Sequence, residues 1–307
     1  MSKCVLIAPL HWGLGHASRC IPIIRDQLND GNRVIVSANG GALSLLQSIF
    51  PNLAYIDIPF MEITYPEDGN MSRHFFWRGP ALLQSIWREH FALKTMVKKH
   101  GIDIVISDSR FGLWSKKAHS IFITHQVRIL SPHFEGIINL LNQWVMNRYD
   151  EVWIPDYAES PGLAGALSHP DHIPKHAKYI GPLSRFNEPI QKANEELEAV
   201  IIISGPEPQR SLFEAEMARR FIESDAPALM LRGKPHEPSE KIIGNLKIVG
   251  HLDDQSLIEA LSGCKKVISR SGYSTIMDLD VLKIDAEYIP TPGQTEQEYL
   301  ATLQTSN

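Results

Sequence analysis

Short, uninterrupted runs of Val and Ile alternate with helix-length segments along the chain, and this alternation is the strongest constraint on its fold. Strands that are apolar throughout are typical of sheets covered on both faces. Strands alternating with helices favour a parallel, doubly wound sheet. In the first half, the predicted strands are residues 5–8, 33–37, 54–58, 103–107, 120–124 and 151–154, and the predicted helices include residues 18–29, 41–50 and 81–100.

The same pattern restarts after a loop rich in Pro, Gly, Ser and His at residues 157–177. We therefore predict an α/β chain of two Rossmann-like domains, residues 1–182 and 183–307, that face a cleft. Such a cleft is a typical ligand site because the carboxyl ends of strands from both sheets can face it. The second series of predicted strands comprises residues 199–204, 228–231, 246–249, 266–269 and 287–289.

Composition excludes several classes of function. A net charge of -5 and a pI near 6.2 give no overall electrostatic signature of nucleic-acid binding. The three cysteines lie far apart and predict neither a disulfide framework nor a zinc site, so a reducing cytoplasm is expected. No apolar run reaches the length of about 18 residues that predicts a transmembrane helix. The apolar run near the N-terminus is interpreted as the first strand, because it is too short for a signal peptide.

A glycine-rich loop, His-Trp-Gly-Leu-Gly-His at residues 11–16, follows the first predicted strand. Gly13 and Gly15 allow the backbone to approach a ligand closely, and a helix start favours an anion. A dinucleotide site is not favoured, because Ser18 replaces the third glycine of the fingerprint and the second strand ends without an acidic residue. His16 could accept a proton from a hydroxyl group, with His11 as a competing candidate. The alternative is a tight turn without a ligand.

A second candidate site follows the strand at residues 266–269. Ser271, Ser274 and Thr275 could cap the next helix and bind a diphosphate, and Gly272 would allow close backbone approach. Asp278 lies four residues after Ser274, so it shares that helix face and could accept hydrogen bonds from a ribose diol. A capped helix without a ligand is the alternative interpretation.

These residues resemble a known family. The stretch Ser-Arg-Ser-Gly-Tyr-Ser-Thr-Ile-Met-Asp at residues 269–278, followed by Pro, Glu-Gln and Tyr-Leu-Ala within residues 289–301, is similar to the GT-B glycosyltransferases. The resemblance is strongest to the N-acetylglucosaminyltransferases that make the lipid-linked peptidoglycan precursor. It implies that Asp278 binds the donor ribose and that Ser274 and Thr275 lie at the diphosphate. It places the sugar of a UDP-sugar donor beside Glu296, Gln297 and Glu298, and Tyr273 and Gln294 are also expected among the donor-binding residues.

The resemblance implies further donor contacts with less specific signals. Arg185 falls where the family has an interdomain arginine, and the backbone of residues 250–252, including His251 and Leu252, falls where the uracil edge is bound. Ser204 and Gly205 fall in a second glycine-rich loop, although Pro206 and Pro208 remove backbone donors from it. Arg232 ends a predicted strand and is either a cleft residue or a surface cation.

The chemistry implied is transfer of a sugar to a hydroxyl acceptor with inversion and without a metal or cofactor. We expect His16 to be the general base, with Asp108 as a second candidate base or as the group that orients the base. The Asp-Leu-Asp sequence at residues 278–280 matches a metal-binding pattern by letters, but residues two apart on a helix point in different directions. Two alternatives remain open, namely a GT-B-fold sugar-nucleotide epimerase, which could recruit Glu296, Glu298 and Asp108, and a non-catalytic donor-binding subunit.

The acceptor is poorly specified by the sequence. Residues 71–100 and 136–149 combine aromatic and aliphatic side chains with Arg and Lys. They predict either amphipathic helices packed on the sheet or a surface for a lipid-linked acceptor at an anionic membrane. A cytoplasmic protein, at the inner face of the membrane in the second case, is expected. The resemblance also predicts closing helices beyond residue 300, and the sequence ends at residue 307.

Overall fold

The computed structural model describes residues 2–10, 13–59, 71–193, 196–235, 237 and 239–306, with residues 71–80 and 306 described by their backbone alone. His11, the competing base, and the side chains of the aromatic run at residues 75–77 lie outside the described residues. The described residues form two separate sheets, with seven strands in the first half and six in the second.

The first sheet is parallel throughout, in the order β3-β2-β1-β4-β5-β6-β7. Its strands are β1 (Cys4–Pro9), β2 (Arg33–Val36), β3 (Ala54–Tyr55), β4 (Ile104–Asp108), β5 (His119–Ile123), β6 (Glu151–Ile154) and β7 (Ala177–Tyr179). The helices are α1 (Gly15–Asn29), α2 (Gly40–Ile49), α3 (Met71–His100) and α4 (Glu135–Met146), with a 3-10 turn at Gly165–Leu167.

The second sheet has the order β10-β11-β9-β8-β12-β13 and is parallel except for the pairing of β10 with β11. Its strands are β8 (Leu197–Ile202), β9 (Ala228–Leu231), β10 (Glu240–Ile243), β11 (Leu246–Val249), β12 (Cys264–Ser269) and β13 (Ala286–Tyr288). The helices are α5 (Gln209–Ser224), α6 (Asp254–Ser262), α7 (Tyr273–Leu282) and α8 (Thr295–Ser306).

The predicted architecture of two doubly wound α/β sheets is confirmed, with differences at particular elements. The strand β10 was not predicted, because its sequence Glu-Lys-Ile-Ile is short, polar at its start and mostly exposed. The helix α1 begins at Gly15 rather than at residue 18, which places His16 in its first turn. The helix α8 was not predicted either; it begins at Thr295 and carries two acidic residues in its first turn, where the helix dipole favours them.

Apolar side chains cover both faces of each sheet. In the first sheet, α1 and α2 pack on one face and Leu93 and Val97 of α3 pack on the other. A buried ion pair also anchors α3, since Nε of Arg110 lies 2.7 Å from Oε1 of Glu89. The long β-branched runs at the centre of the sheet therefore fix the order of the strands. The order of the strands in turn fixes where the loops at their carboxyl ends lie.

One apolar cluster joins the two halves of the chain. Ala164 and Leu167 from the first half pack with Met277 of α7 and Leu300 of α8. The side chain of Gln304 reaches back from α8 and donates to the carbonyl of Leu163 at 3.0 Å. This cluster holds the two sheets together beside the cleft that their carboxyl ends line.

Candidate functional site

The first group of candidate residues lies where the strand order of the first sheet reverses. The central strands β1 and β4 are neighbours, and Pro9 pairs with Asp108 at their carboxyl ends. The chain leaves β1 toward β2 on one side, while β4 continues the sheet on the other. Such a switch point opens a crevice at the sheet edge. The glycine loop and Asp108 therefore meet in that crevice.

His16, Asp108 and Arg19 form a compact cluster at this switch point. Nδ1 of His16 lies 2.9 Å from Oδ2 of Asp108, and Nε of Arg19 lies 2.8 Å from the same oxygen. The other carboxylate oxygen pairs with a terminal nitrogen of Arg19. Asp108 is completely buried and Arg19 is 2% exposed, whereas His16 retains 17% exposure. Only the imidazole is thus open to a substrate.

The charges in this cluster set the ionisation of its members. Burial opposes ionisation of Asp108, but the charge of Arg19 and the contact with His16 hold the pKa of that carboxyl far below its usual range. Burial and the charge of Arg19 lower the pKa of His16, and Asp108 opposes them only in part. An ionised carboxylate can only accept, so the Asp108 contact requires the proton on Nδ1 of a neutral ring. Nε2 then carries the lone pair of a general base.

The second sheet has a corresponding switch point between β8 and β12. The strand β12 ends at Ser269, and residues 270–272 lead into α7. The first turns of α1 and α7 come into direct contact, because a Cβ built on Gly15 would lie 2.9 Å from both Cβ and Oγ of Ser274. The two glycine-containing loops therefore face each other across the cleft, each at the start of a helix whose amide groups favour an anion.

The hydroxyl groups predicted to cap α7 do not do so. Gly272 occupies the N-cap, and no side chain caps the helix. Ser271 is buried and donates to the carbonyl of Gln297 at 2.7 Å, so its hydroxyl holds the following loop. Tyr273 is also buried, and its hydroxyl donates to the carbonyl of Pro155 at 2.8 Å, across the two halves. Ser274 and Thr275 remain partly exposed in the first turn.

The predicted sugar-binding residues in the first turn of α8 point in different directions. Of these, only Glu296 reaches the first half, with Oε1 at 2.8 Å from Nε2 of His125 and Oε2 at 2.6 Å from the side-chain amide of Gln126. The side chains of Gln297 and Glu298 turn back and accept from the amides of residues 291 and 293. Gln294 lies just before α8, and its amide donates to the carbonyl of residue 291 at 3.1 Å. Gln294, Gln297 and Glu298 therefore hold the backbone of the loop before α8.

His125 ties the two halves together. Its ring stacks on Tyr273 with the centroids 4.0 Å apart and the planes 14° from parallel. Burial opposes ionisation of Glu296, but the hydrogen bond from His125 and the nearby charges of His16 and Arg19 lower the pKa of its carboxyl. Glu296 from the second half thus enters the electrostatic environment of the first-half cluster.

Asp278 lies one turn into α7, at the linker between the halves. Its Oδ1 accepts from the hydroxyl of Ser184 at 2.6 Å. Burial raises the pKa of Asp278 to about 6, although Arg185 and Ser184 oppose this. Arg185 pairs with Asp254 at 3.1 Å. His251 is half-buried. Its burial and the nearby charge of Arg185 both lower the pKa of its imidazole.

The remaining predicted contacts lie around the ends of β8, β9 and β11. Gly205 follows Ser204 with φ of 100°, a conformation that requires glycine. Arg232 pairs with Glu214 at 2.7 Å. The backbone of Gly250 is held by residues 234 and 239, and Leu252 packs on the core of the second domain. The structure therefore groups Gly13, Gly15, His16, Asp108, Ser274 and Glu296 at the cleft, and engages Arg232 and Gly250 in contacts within the second domain.

Sequence reasoning missed two members of the site. The only signal for Arg19 in the sequence is its position three residues after His16, a spacing that places both side chains on one face of a helix. His125 comes directly after the predicted strand at residues 120–124, so the rule that selected Asp108 at the end of its strand would also have selected it. Among the described residues, no group of three or more His, Cys, Asp or Glu side chains is arranged to hold a metal ion. No helix in the described part of the chain is long and apolar enough to span a membrane.

Comparisons with known proteins support the fold. No protein-family model matches the sequence, and no curated protein matches it either. Solved structures do match. MurG of Acinetobacter baumannii is 12% identical with a TM-score of 0.56, over 100% of this chain and 84% of that one. UGT89C1 of Arabidopsis thaliana, in complex with UDP-L-rhamnose, is 13% identical with a TM-score of 0.65, over 99% and 82%.

A third similar structure is the spinosyn forosaminyltransferase SpnP, which is 14% identical with a TM-score of 0.61, over 100% of this chain and 84% of that one. All three are GT-B glycosyltransferases. At these identities the likeness establishes the fold, in agreement with the two sheets and facing switch points described above. The chain has the two-domain fold of the MurG-like GT-B glycosyltransferases.

Proposed function

We propose that this protein transfers a sugar from a nucleotide-diphosphate sugar, with UDP as the nucleotide, to a hydroxyl group of an acceptor. The observation that carries the proposal is the partly exposed imidazole of His16, bound through Nδ1 to the buried Asp108 and adjacent to Gly15, which faces the first turn of α7. A neutral base on one wall and an anion-binding helix start on the other are the two elements that such a transfer needs.

In the proposed reaction, Nε2 of His16 takes the proton of the acceptor hydroxyl as its oxygen attacks the anomeric carbon. The bond from that carbon to the diphosphate oxygen breaks, and its electron pair leaves with the diphosphate. The amide groups of α7 stabilise the charge that develops there, and Asp108 stabilises the imidazolium. A single displacement of this kind inverts the anomeric centre. In this proposal the imidazole of His16 is the base, the backbone amides of α7 form the anion site, and no metal takes part.

The donor site is tested by calorimetric titration with UDP, TDP, GDP and ADP, each with and without magnesium. Preferential binding of UDP that needs no magnesium and weakens in Asp278→Ala is expected. Incubation with a UDP-sugar and candidate acceptors then tests turnover, and nuclear magnetic resonance of the product gives its anomeric configuration. An isomerised donor without release of nucleotide would instead indicate an epimerase, and binding without turnover a donor-binding subunit.

We further propose that the acceptor is lipid-linked and is met at an anionic membrane. Two helices of the first half expose large apolar side chains, namely Leu83, Trp87 and Phe91 of α3 and Ile137, Leu140, Leu141 and Trp144 of α4, with Phe134 beside them. A chain of ring contacts joins the two helices through His90, Trp114 and Arg148. Arg88, Lys94 and Lys98 are exposed on α3. An apolar surface flanked by cations suits an anionic lipid interface.

Vesicle sedimentation tests this surface. The protein is expected to bind vesicles containing anionic lipid and not neutral ones, and charge reversal at Arg88, Lys94 and Lys98 should abolish binding. A matched variant that reverses Lys265, Lys241 and Lys247 in the second domain should bind as the wild type does. Equal loss in both variants would indicate a dependence on net charge alone and would contradict a specific surface.

A further inference from the structure

We propose that Arg19 is a positioning residue that holds Asp108 in place against the ring of His16 and keeps that ring neutral in mildly acidic solution by offsetting the negative charge of Asp108. This inference rests on the proposed role of His16 as general base. Arg19 is then a third member of the cluster, beside the base His16 and the carboxylate of Asp108. Its charge disfavours protonation of His16, whereas the charge of Asp108 favours it.

The geometry gives Arg19 contacts with both partners. One terminal nitrogen of its guanidinium pairs with one oxygen of Asp108, and Nε donates to the other carboxylate oxygen at 2.8 Å. The same terminal nitrogen lies 2.8 Å from Nδ1 of His16, and because Nδ1 directs its proton to Asp108, this is a close approach of two donors and not a hydrogen bond. The same terminal nitrogen donates to the hydroxyl of Ser109 at 3.2 Å. A planar guanidinium held at three points has little freedom, and Arg19 is almost completely buried. The position of its charge is therefore fixed relative to the imidazole.

A carboxylate alone beside an imidazole favours the imidazolium, because opposite charges attract. In this cluster the carboxylate already forms two charge-assisted hydrogen bonds with a cation, and the charge of that cation offsets part of the effect of Asp108 on the imidazole. The remaining charged neighbours of His16 are His125 at the end of β5, whose charge disfavours the imidazolium, and Glu296 of α8, whose charge favours it. Among the residues that the structure describes, the thiol of Cys20 and the hydroxyl of Tyr273 are the other titratable groups of this cluster, and burial raises the pKa of both.

Two consequences for the reaction follow. The base remains unprotonated, and so able to accept a proton, at a pH below that at which a simple histidine–carboxylate pair would already be protonated. The imidazolium that forms during transfer is also less stable, so it returns its proton to solvent readily after the product leaves. Among the described residues, Nε2 of His16 has no hydrogen-bond partner, so it is available for that exchange.

Direct titration of His16 by nuclear magnetic resonance tests the proposal without any substrate. The wild-type protein is labelled with ¹³C and ¹⁵N in histidine, and the His16 signal is assigned from its loss in His16→Gln. The His16 pKa is expected below the ordinary value of about 6.5, with the proton of the neutral ring on Nδ1. A titration at or above that value, or a proton on Nε2, would overturn the proposal.

Variants then separate the charge of Arg19 from its packing. In Arg19→Met the His16 pKa is expected to rise by about one unit or more, the usual effect of one close charge. In Arg19→Lys it should stay near the wild-type value, and in Asp108→Asn it should fall. Arg25→Met removes a charge from the same helix without contact to His16, so it should cause no shift. If Arg19→Met does not fold, Arg19→Gln, which keeps hydrogen-bond donors but removes the charge, is titrated in its place, and an unchanged His16 pKa in it would overturn the proposal.

The measurement of transfer activity is interpreted separately from the titration of His16. If transfer is observed, the acid limb of the kcat/KM profile should move upward in Arg19→Met by the same number of pH units as the His16 titration. If no transfer is observed while the His16 pKa moves as expected, the proposed function fails and the role of Arg19 in the cluster stands. An unchanged His16 pKa in a folded Arg19→Met protein refutes the role of Arg19 whatever the activity.

Discussion

Replacement of Gly15 by Ala tests how closely the two domains approach each other. The added methyl would lie 2.9 Å from both Cβ and Oγ of Ser274. Non-bonded carbon atoms are normally about 3.5–4.0 Å apart, so α1 and α7 would have to separate by roughly half an ångström or more. Rotation of the serine cannot relieve this contact, because its Cβ is fixed to the backbone. Overpacking of this kind costs about 1–3 kcal/mol.

Two effects of the substitution must be separated. Alanine is a better helix former than glycine by up to about 1 kcal/mol, which opposes the steric cost. Gly136 provides the matched control, because it lies in the first turn of α4, is exposed, and would place an added methyl within 4 Å of nothing. Gly136→Ala should therefore be neutral or stabilising, whereas Gly15→Ala should lower the free energy of unfolding.

A double-mutant cycle with Ser274→Gly isolates the contact itself. The glycine removes both atoms that the new methyl would meet, so the double variant should be more stable than the two single changes predict, by about 1–3 kcal/mol. The free energy of unfolding is measured in urea by fluorescence and circular dichroism, whose transitions must coincide. Additivity within about 0.5 kcal/mol would show that the helices do not meet in solution and would refute the facing of the two switch points.

Three further substitutions probe the base, the core and the linker. His16→Gln is expected to lower kcat/KM by about 10²–10⁴, the usual contribution of a general base, with the urea midpoint unchanged. Arg110→Met leaves the buried carboxylate of Glu89 unpaired and should cost about 3–5 kcal/mol in urea unfolding, and adding Glu89→Leu should restore most of it. Asp278 has a folded-state pKa of about 6, above its unfolded value, so its ionisation destabilises the fold as the pH rises from about 4 to 6. The stability of Asp278→Asn relative to wild type should therefore increase over that window and level off above it, and a difference independent of pH would contradict the raised pKa.

The fold was predictable because its main determinants are local. Uninterrupted Val and Ile runs specify strands covered on both faces, and their alternation with helices leaves few arrangements other than doubly wound sheets. The rule that ligands bind at the carboxyl ends of such strands then selected the glycine loop and Asp108 without any structure. The elements that escaped prediction are the short, polar strand β10 and the helix α8, whose first turn reads as a loop when its packing partners are unknown.

The contacts of the site depended on information that the sequence does not hold locally. Glu296, Gln297 and Glu298 are adjacent in sequence, but successive residues of a helix point about 100° apart, so the starting residue of α8 decides which of them faces the cleft. That start depends on the fold of residues 291–293, where Gln297 and Glu298 are bound. Ser271 was expected at the diphosphate for a similar reason, and its hydroxyl instead holds the loop before α8.

The two halves of the chain supply different parts of the site, and this explains why they are held together by several specific contacts. The base cluster is built entirely from the first half, and the opposing helix start belongs to the second, so neither sheet alone presents both elements. A loose hinge would leave the distance between His16 and the anion site undefined, and small displacements of this kind are costly in catalysis. The stack of Tyr273 on His125, the bond from Tyr273 to Pro155 and the apolar cluster around Met277 all fix that distance. The lack of a side chain at Gly15 then allows the two helix starts to approach closely, since a Cβ at that position would lie 2.9 Å from the side chain of Ser274.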